Sequence, residues 1–127
     1  MGVKIEVIEQ GDQSNFPQKG DTLKMHYTGT FPDGRKFDSS YDRKKPFLFV
    51  IGTGQVIRGW DEGVMRMSLG ETAKLICSSD FAYGEEGVEG AIPPNAELHF
   101  EVRLLEINGK KAKEKKKEQG VVVCQIL

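Results

Sequence analysis

A chain of 127 residues, 38% hydrophobic and 29% charged, can build one domain with its own core but not comfortably two. The formal charge is −1, but it is split: between Lys110 and Glu118 six lysines face two glutamates, a local +4 that leaves −5 for the rest. An acidic body excludes the cationic surface that a nucleic-acid partner requires, and no apolar run is long enough to span a bilayer.

The N-terminus alternates charged and apolar residues from Lys4, which reads as a strand over Lys4 to Val7 and not as a signal peptide. Position 6 is Glu6, so Gly2 lacks the myristoylation context. A turn over Pro17 to Asp21 leads to a second strand, in which Leu23, Met25 and Tyr27 alternate with Lys24, His26 and Thr28. Pro32-Asp33-Gly34 turns the chain, and Asp38-Ser39-Ser40 has the chemistry of an Asx turn. Phe47, Phe49 and Ile51 alternate through a third strand that ends at Gly52-Thr53-Gly54. Ile57, Trp60 and Val64 share one face of the only helical segment, residues 57–67. After Ser68-Leu69-Gly70, a strand carries Ala73, Leu75 and Cys77 on one face. Residues 79–95, with Gly84, Gly87, Gly90, Pro93 and Pro94, form a long loop of the kind that often holds function. A final strand alternates Leu98, Phe100, Val102 and Leu104 with Glu97, His99, Glu101 and Arg103. The fold class is therefore α+β, an antiparallel sheet folded over one short helix. The domain spans 1–107, with Asn108-Gly109 as its terminator. Residues 108–127 form a basic, flexible tail, in which KKAKEKKKEQG has no apolar periodicity and is expected to be disordered or a frayed helix.

Conventional catalytic groups are missing. His26 and His99 fall on the polar phase of their strands, where surface histidine is the usual case. Metal-ligand spacing is absent, and Gly52-Thr53-Gly54 lacks the further residues of a dinucleotide or phosphate loop. Cys77 lies in phase with the core, and the two cysteines form neither a CxxC pair nor a disulfide framework, which suits a reducing cytosol. No cofactor or metal is expected. Aromatic residues are abundant: Tyr27, Phe37, Phe47, Phe49, Trp60, Phe81, Tyr83 and Phe100. Most rings in a small domain are core, yet one helix on one sheet does not need so many. Asp38 beside Phe37, with Arg43 close behind, adds polar groups to the rim of an apolar pocket.

The segments YTGTFPDGRKFDSS (Tyr27 to Ser40), KPF, IGTGQVIRGWDEGV (Ile51 to Val64), DFAYG (Asp80 to Gly84) and IPPNAELHFEVRLLEI (Ile92 to Ile107) strongly resemble the FKBP-type immunophilins, in the family's order. These are peptidyl-prolyl cis-trans isomerases that bind tacrolimus and rapamycin. The resemblance covers about Val3 to Ile107. It implies a half-wrapped sheet around the helix with the site between them. Carried over by residue, it implies a pocket of Tyr27, Phe37, Asp38, Phe47, Val56, Ile57, Trp60, Tyr83 and Phe100, with Trp60 as the floor. It also implies ligand contacts from the Ile57 N–H, the Tyr83 hydroxyl, the Gln55 carbonyl and Asp38, the last paired with Tyr27 and Arg43, and Ile92 lining the loop side. Partners implied are X-Pro peptides and the two macrolides, with calcineurin or the rapamycin-target kinase engaged only through a drug complex. The loop Gly87-Val88-Glu89-Gly90-Ala91-Ile92 has a small residue, Ala91, where many members carry a large aliphatic one, so weaker ternary complexes are expected.

The chain is expected to be a monomer. It finishes Cys124-Gln125-Ile126-Leu127, which fits the C-a-a-X prenylation pattern, with Leu127 favouring geranylgeranyl. A single lipid anchors weakly, and the lysines from Lys110 to Lys117 supply the second signal. The expectation is a cytoplasmic protein tethered to the cytoplasmic face of a membrane. The competing reading is a prenylated binding or adaptor module that regulates a membrane partner, with incidental turnover. A basic tail could also serve nuclear import or contact nucleic acid.

Overall fold

The computed structural model describes residues 2–112. Seven strands form one antiparallel sheet: β1 Val3–Glu9, β2 Thr22–Thr30, β3 Lys36–Ser39, β4 Phe47–Val50, β5 Thr72–Cys77, β6 Leu98–Ile107 and β7 Lys110–Lys111. The strand order is β1-β5-β6-β2-β3, with β4 also paired to β2 and β7 to β6. β2 is long enough to hold two partners on one edge. Its first half, Thr22 to Met25, pairs with β4, and Thr28 to Thr30 pairs with β3.

Period-two patterning makes the sheet one-sided. β5 and β6 present Ala73, Leu75, Cys77, Leu98, Phe100, Val102 and Leu104 to the core, and β2 adds Leu23, Met25 and Tyr27. The helix α1, Arg58–Gly63, lies on this face and continues as a 3₁₀ turn over Val64–Arg66. The helical signal over 57–67 is therefore met by one α turn and a half plus a tighter turn. Trp60, Val64 and Met67 are its buried residues toward the core. Gly63 lets it approach the sheet: a Cβ there would lie 3.3 Å from Val3 and 3.4 Å from Leu75.

Two strands are not in the sequence reading. β3 occupies the stretch read as a turn, because its backbone is recruited by Thr28 to Thr30 of β2. β7 carries the sheet past Ile107, where the sequence reading ends the domain. Asn108 and Gly109 adopt φ of 52° and 86°, the left-handed pair of a tight hairpin turn, which pairs Lys110 with Ile107 and Lys111 with Glu106. The remainder of the expected tail lies outside the described residues. Among those residues no helix is long and apolar enough to cross a membrane.

Candidate active site

Between α1 and the sheet opens a cavity of about 140 Å³, lined by Tyr27, Phe37, Asp38, Phe47, Gln55, Val56, Ile57, Trp60, Tyr83 and Phe100. An apolar cavity of about 150 Å³ holds one benzene-sized ring, so the space suits a single prolyl ring with its flanking carbonyls outside.

Trp60 is 4% exposed, and its ring centroid lies 4.8 Å from Tyr27, 5.2 Å from Phe100, 5.8 Å from Phe47 and 5.9 Å from Phe49. Three of the four pairs meet edge to face, the arrangement that the ring quadrupole favours. Its buried indole N–H has no hydrogen-bond partner among the described residues. The helix that carries it is placed by Asp61, whose carboxylate accepts from the Gly52 and Gly54 N–H groups at 2.8 and 3.0 Å. That clamp fixes the turn leading into Val56 and Ile57. Gln55 is tied as well: its side-chain carbonyl accepts from the Val50 N–H at 3.0 Å. Ile57 begins the helix, accepting from the Trp60 and Asp61 N–H groups, while among the described residues its own N–H donates to nothing.

The polar rim is a closed triangle. The Tyr27 hydroxyl donates to one Asp38 oxygen, Arg43 Nη1 donates to the other, and Arg43 Nη2 donates to the Tyr27 oxygen at 2.7 Å. Burial pulls the Asp38 carboxyl upward, but the hydrogen bonds from Tyr27 and Arg43 outweigh it and hold the group below its ordinary range. Burial, reinforced by the hydrogen bond to Asp38, pushes the Tyr27 phenol up. Partial burial and then the Asp38 charge push Tyr83 up too. Every shift in the rim moves away from neutrality.

Eight of the sequence-predicted residues beside Tyr27 and Asp38 thus share the cavity wall, and two predicted residues do not. Arg43 stands behind Asp38 as its charge partner. Ile92 is 6% exposed inside the 79–95 loop, where its N–H and carbonyl both bond Val88. Cys124 and the lysines after Lys111 lie outside the described residues. The histidines are elsewhere: His26 is half-buried, stacked on Tyr41 at 4.2 Å with Nδ1 2.7 Å from the Ser40 hydroxyl. His99 contacts Glu97 at 2.7 Å.

Two glycines that the sequence reading passed over shape the site. A Cβ on Gly29 would sit 2.6 Å from Phe37 Cζ and 3.0 Å from Phe100 Cε1, so only hydrogen lets those two rings close the cavity wall. A Cβ on Gly59 would sit 2.4 Å from Cys77 Sγ. Gly29 was legible, since a glycine inside a strand marks close approach. Gly59 was not, because the contact is with a strand distant in sequence.

The comparisons with known proteins agree with this geometry. The model of the FKBP-type peptidyl-prolyl cis-trans isomerase family matches residues 13–105. The chain is 59% identical over 108 residues to FK506-binding protein 1 of Rhizopus delemar, covering 85% of this chain and 100% of that one. It is 58% identical over 112 residues to a peptidyl-prolyl cis-trans isomerase of Schizosaccharomyces pombe, covering 88% and 100%. It is also 58% identical over 107 residues to peptidyl-prolyl cis-trans isomerase Fkbp12 of Drosophila melanogaster, covering 84% and 99%. An antiparallel sheet over one short helix, a ring-lined cavity and these matches together make the chain a member of the FKBP-type family, with peptidyl-prolyl cis-trans isomerase activity.

Proposed function

We propose that this cavity turns X-Pro bonds by desolvation alone, with no bond formed to the protein and no proton transferred. Amide resonance opposes rotation by about 18–20 kcal/mol. At the perpendicular geometry that resonance is lost, the carbonyl is less polar and the nitrogen is pyramidal. A dry wall of rings favours that state over the planar, well-hydrated one. A million-fold acceleration requires about 8 kcal/mol of such preference. Trp60 is the floor under the prolyl ring. The Ile57 N–H, which has no acceptor among the described residues, and the Tyr83 hydroxyl hold flanking carbonyls, and the Gln55 backbone carbonyl, which accepts from no described N–H, offers a further contact. Asp38, fixed by Tyr27 and Arg43, takes a ligand hydroxyl or shapes the field at the turning amide.

The observation that supports this reading is the rim itself: its titratable groups all shift away from neutrality. Asp38, with its depressed pKa, keeps its charge above the ordinary carboxylate range and loses it only as pH falls through the lowered value. The expected result is a kcat/KM for an X-Pro peptide that is flat from about pH 6 to 8, measured by protease-free isomerisation kinetics. A bell-shaped profile across that range sinks the proposal. His26, its pKa lowered first by burial and then by the Arg103 charge, does not line the cavity.

Tacrolimus (FK506) should occupy the same cavity, as the name FK506-binding protein 1 says of the Rhizopus relative, and rapamycin should do so too. Calcineurin and the rapamycin-target kinase are then partners of the drug complex only. Exposed Ala91 offers them less apolar surface than a large aliphatic residue.

We further read Cys124 as a prenyl acceptor and the lysines as its electrostatic partner, supported by the sequence Cys124-Gln125-Ile126-Leu127 and by roughly 1 kcal/mol per lysine near anionic lipid. In this reading the protein works at a cytoplasmic membrane face, on a client or as a regulator of a membrane partner. Intact mass of the protein from its own cells should carry the prenyl increment, and Cys124→Ser should move it from the membrane to the soluble fraction. An unmodified native mass overturns the tether and leaves the isomerase reading untouched.

A further inference from the structure

The cavity has room for one ring, so the residues that flank a bound proline must lie on the surface around its mouth. Phe47 joins that mouth to a second space. The ring that lines the cavity also lines a groove of about 310 Å³, whose other walls are Arg43, Lys45, Pro46 and Leu48. Successive residues of an extended chain advance by roughly 3.5 Å, so a segment leaving the cavity past Phe47 enters this groove within one or two residues.

Pro46 and Leu48 give the groove an apolar component, and Leu48 is 56% exposed. Its charged residues are both cationic, and no carboxylate lines it. The Arg43 charge is already met by Asp38. Lys45 has no ion-pair partner among the described residues, because the nearest carboxylate in sequence, Asp42, is held by Lys36 at 2.8 Å. Another part of the cavity wall carries the opposite charge. The Tyr83 carbonyl accepts from the Gly87 N–H at 3.1 Å, closing a turn that holds exposed Glu85 and Glu86. Residues 79–95 also contain Asp80 and Glu89, and neither lysine nor arginine. Glu85, Glu86 and Glu89 have no ion-pair partner among the described residues.

We propose that the groove beside Phe47 is a subsite for an acidic residue flanking the X-Pro unit, with Lys45 as the specificity-determining residue. The inference rests on the cavity being the prolyl site. The preferred substrate carries a carboxylate on the flank that crosses Phe47 and a neutral or basic residue on the flank that faces Glu85 and Glu86. Exposed charge pairs are weak and screened by salt, so the subsite sets a preference of a few-fold and not a requirement.

The test compares two capped peptides of one composition around the same X-Pro unit. One has glutamate before the unit and lysine after it; the other has them exchanged. A third, uncharged peptide reports the isomerase alone. At low salt one charged peptide should show a kcat/KM at least about threefold above the other, and high salt should erase the difference. Lys45→Glu should abolish or reverse the ranking and leave the uncharged peptide unchanged. Lys111→Glu, the same change in net charge placed on β7, should leave the ranking as it was. Equal rates for the two charged peptides at low salt overturn the proposal, as does a ranking that survives Lys45→Glu or that Lys111→Glu alters as much. Failure of the prolyl-site reading is distinct: it would appear as an uncharged peptide whose turnover does not depend on Trp60.

Discussion

Trp60→Ala should lower kcat/KM for an X-Pro peptide by well over tenfold and destabilise the fold by about 3–5 kcal/mol, the usual cost of emptying a buried aromatic site. Both effects have one cause. The indole is 4% exposed and touches the rings of Tyr27, Phe47, Phe49 and Phe100, so it closes the core and lines the cavity with the same atoms. Truncation leaves a void that joins the cavity and admits water. A wet cavity no longer prefers the twisted, less polar amide. Each tenfold loss corresponds to about 1.4 kcal/mol of transition-state preference. Kinetics run well below the melting temperature, with circular dichroism to show that the variant is folded, separate the two consequences. Trp60→Leu restores apolar contact without the flat ring and should fall between wild type and Ala in both. A folded Trp60→Ala variant with wild-type kcat/KM removes the floor from the mechanism.

Gly59→Ala should destabilise the protein by roughly 1–3 kcal/mol, although alanine is the better helix former by about 1 kcal/mol. Packing outweighs propensity because the new Cβ would sit 2.4 Å from Cys77 Sγ, 3.2 Å from Cys77 Cβ and 3.1 Å from the Phe81 carbonyl. Something must shift, and the cheapest shift lifts α1, and with it Trp60, off β5. Removing the sulfur relieves the worst contact. The double variant Gly59→Ala/Cys77→Ala should therefore be more stable than Gly59→Ala alone, although Cys77→Ala by itself opens a small cavity. Urea melts of the four proteins check this. Strict additivity across the cycle means that the helix tolerates the methyl group and that the close approach is not limiting.

Strands β2, β4, β5 and β6 were legible because each buries one face only, and a one-sided strand writes its orientation as alternation. The helix was legible through Ile57, Trp60 and Val64. β3 was not, since Lys36–Ser39 has too few residues for a pattern and is a strand only because β2 offers it an edge. β7 is similar: Asn108-Gly109 marks a reversal in sequence, but its pairing depends on the free edge of β6. In the site, aromatic excess and the family's motifs reached nearly the whole cavity wall. Arg43 does not line the cavity and donates to Asp38 from behind its wall. Ile92 belongs to the buried core and not to the cavity wall, and its backbone closes the loop against Val88.

By itself the sequence determined the one-sided sheet, the single short helix, the ring-rich composition of the site and the absence of any nucleophile or metal-ligand pattern in its motifs. These are local properties of pattern and residue type, and chain order preserves them. Tertiary structure alone decided that Asp38, Tyr27 and Arg43 close into one triangle whose pKa shifts all point away from neutrality. It alone decided that Gly29 and Gly59 owe their identity to rings and a sulfur across the core. Those facts depend on which distant residues meet within a few ångströms. No spacing along the chain encodes that, because it is set when the sheet closes over the helix.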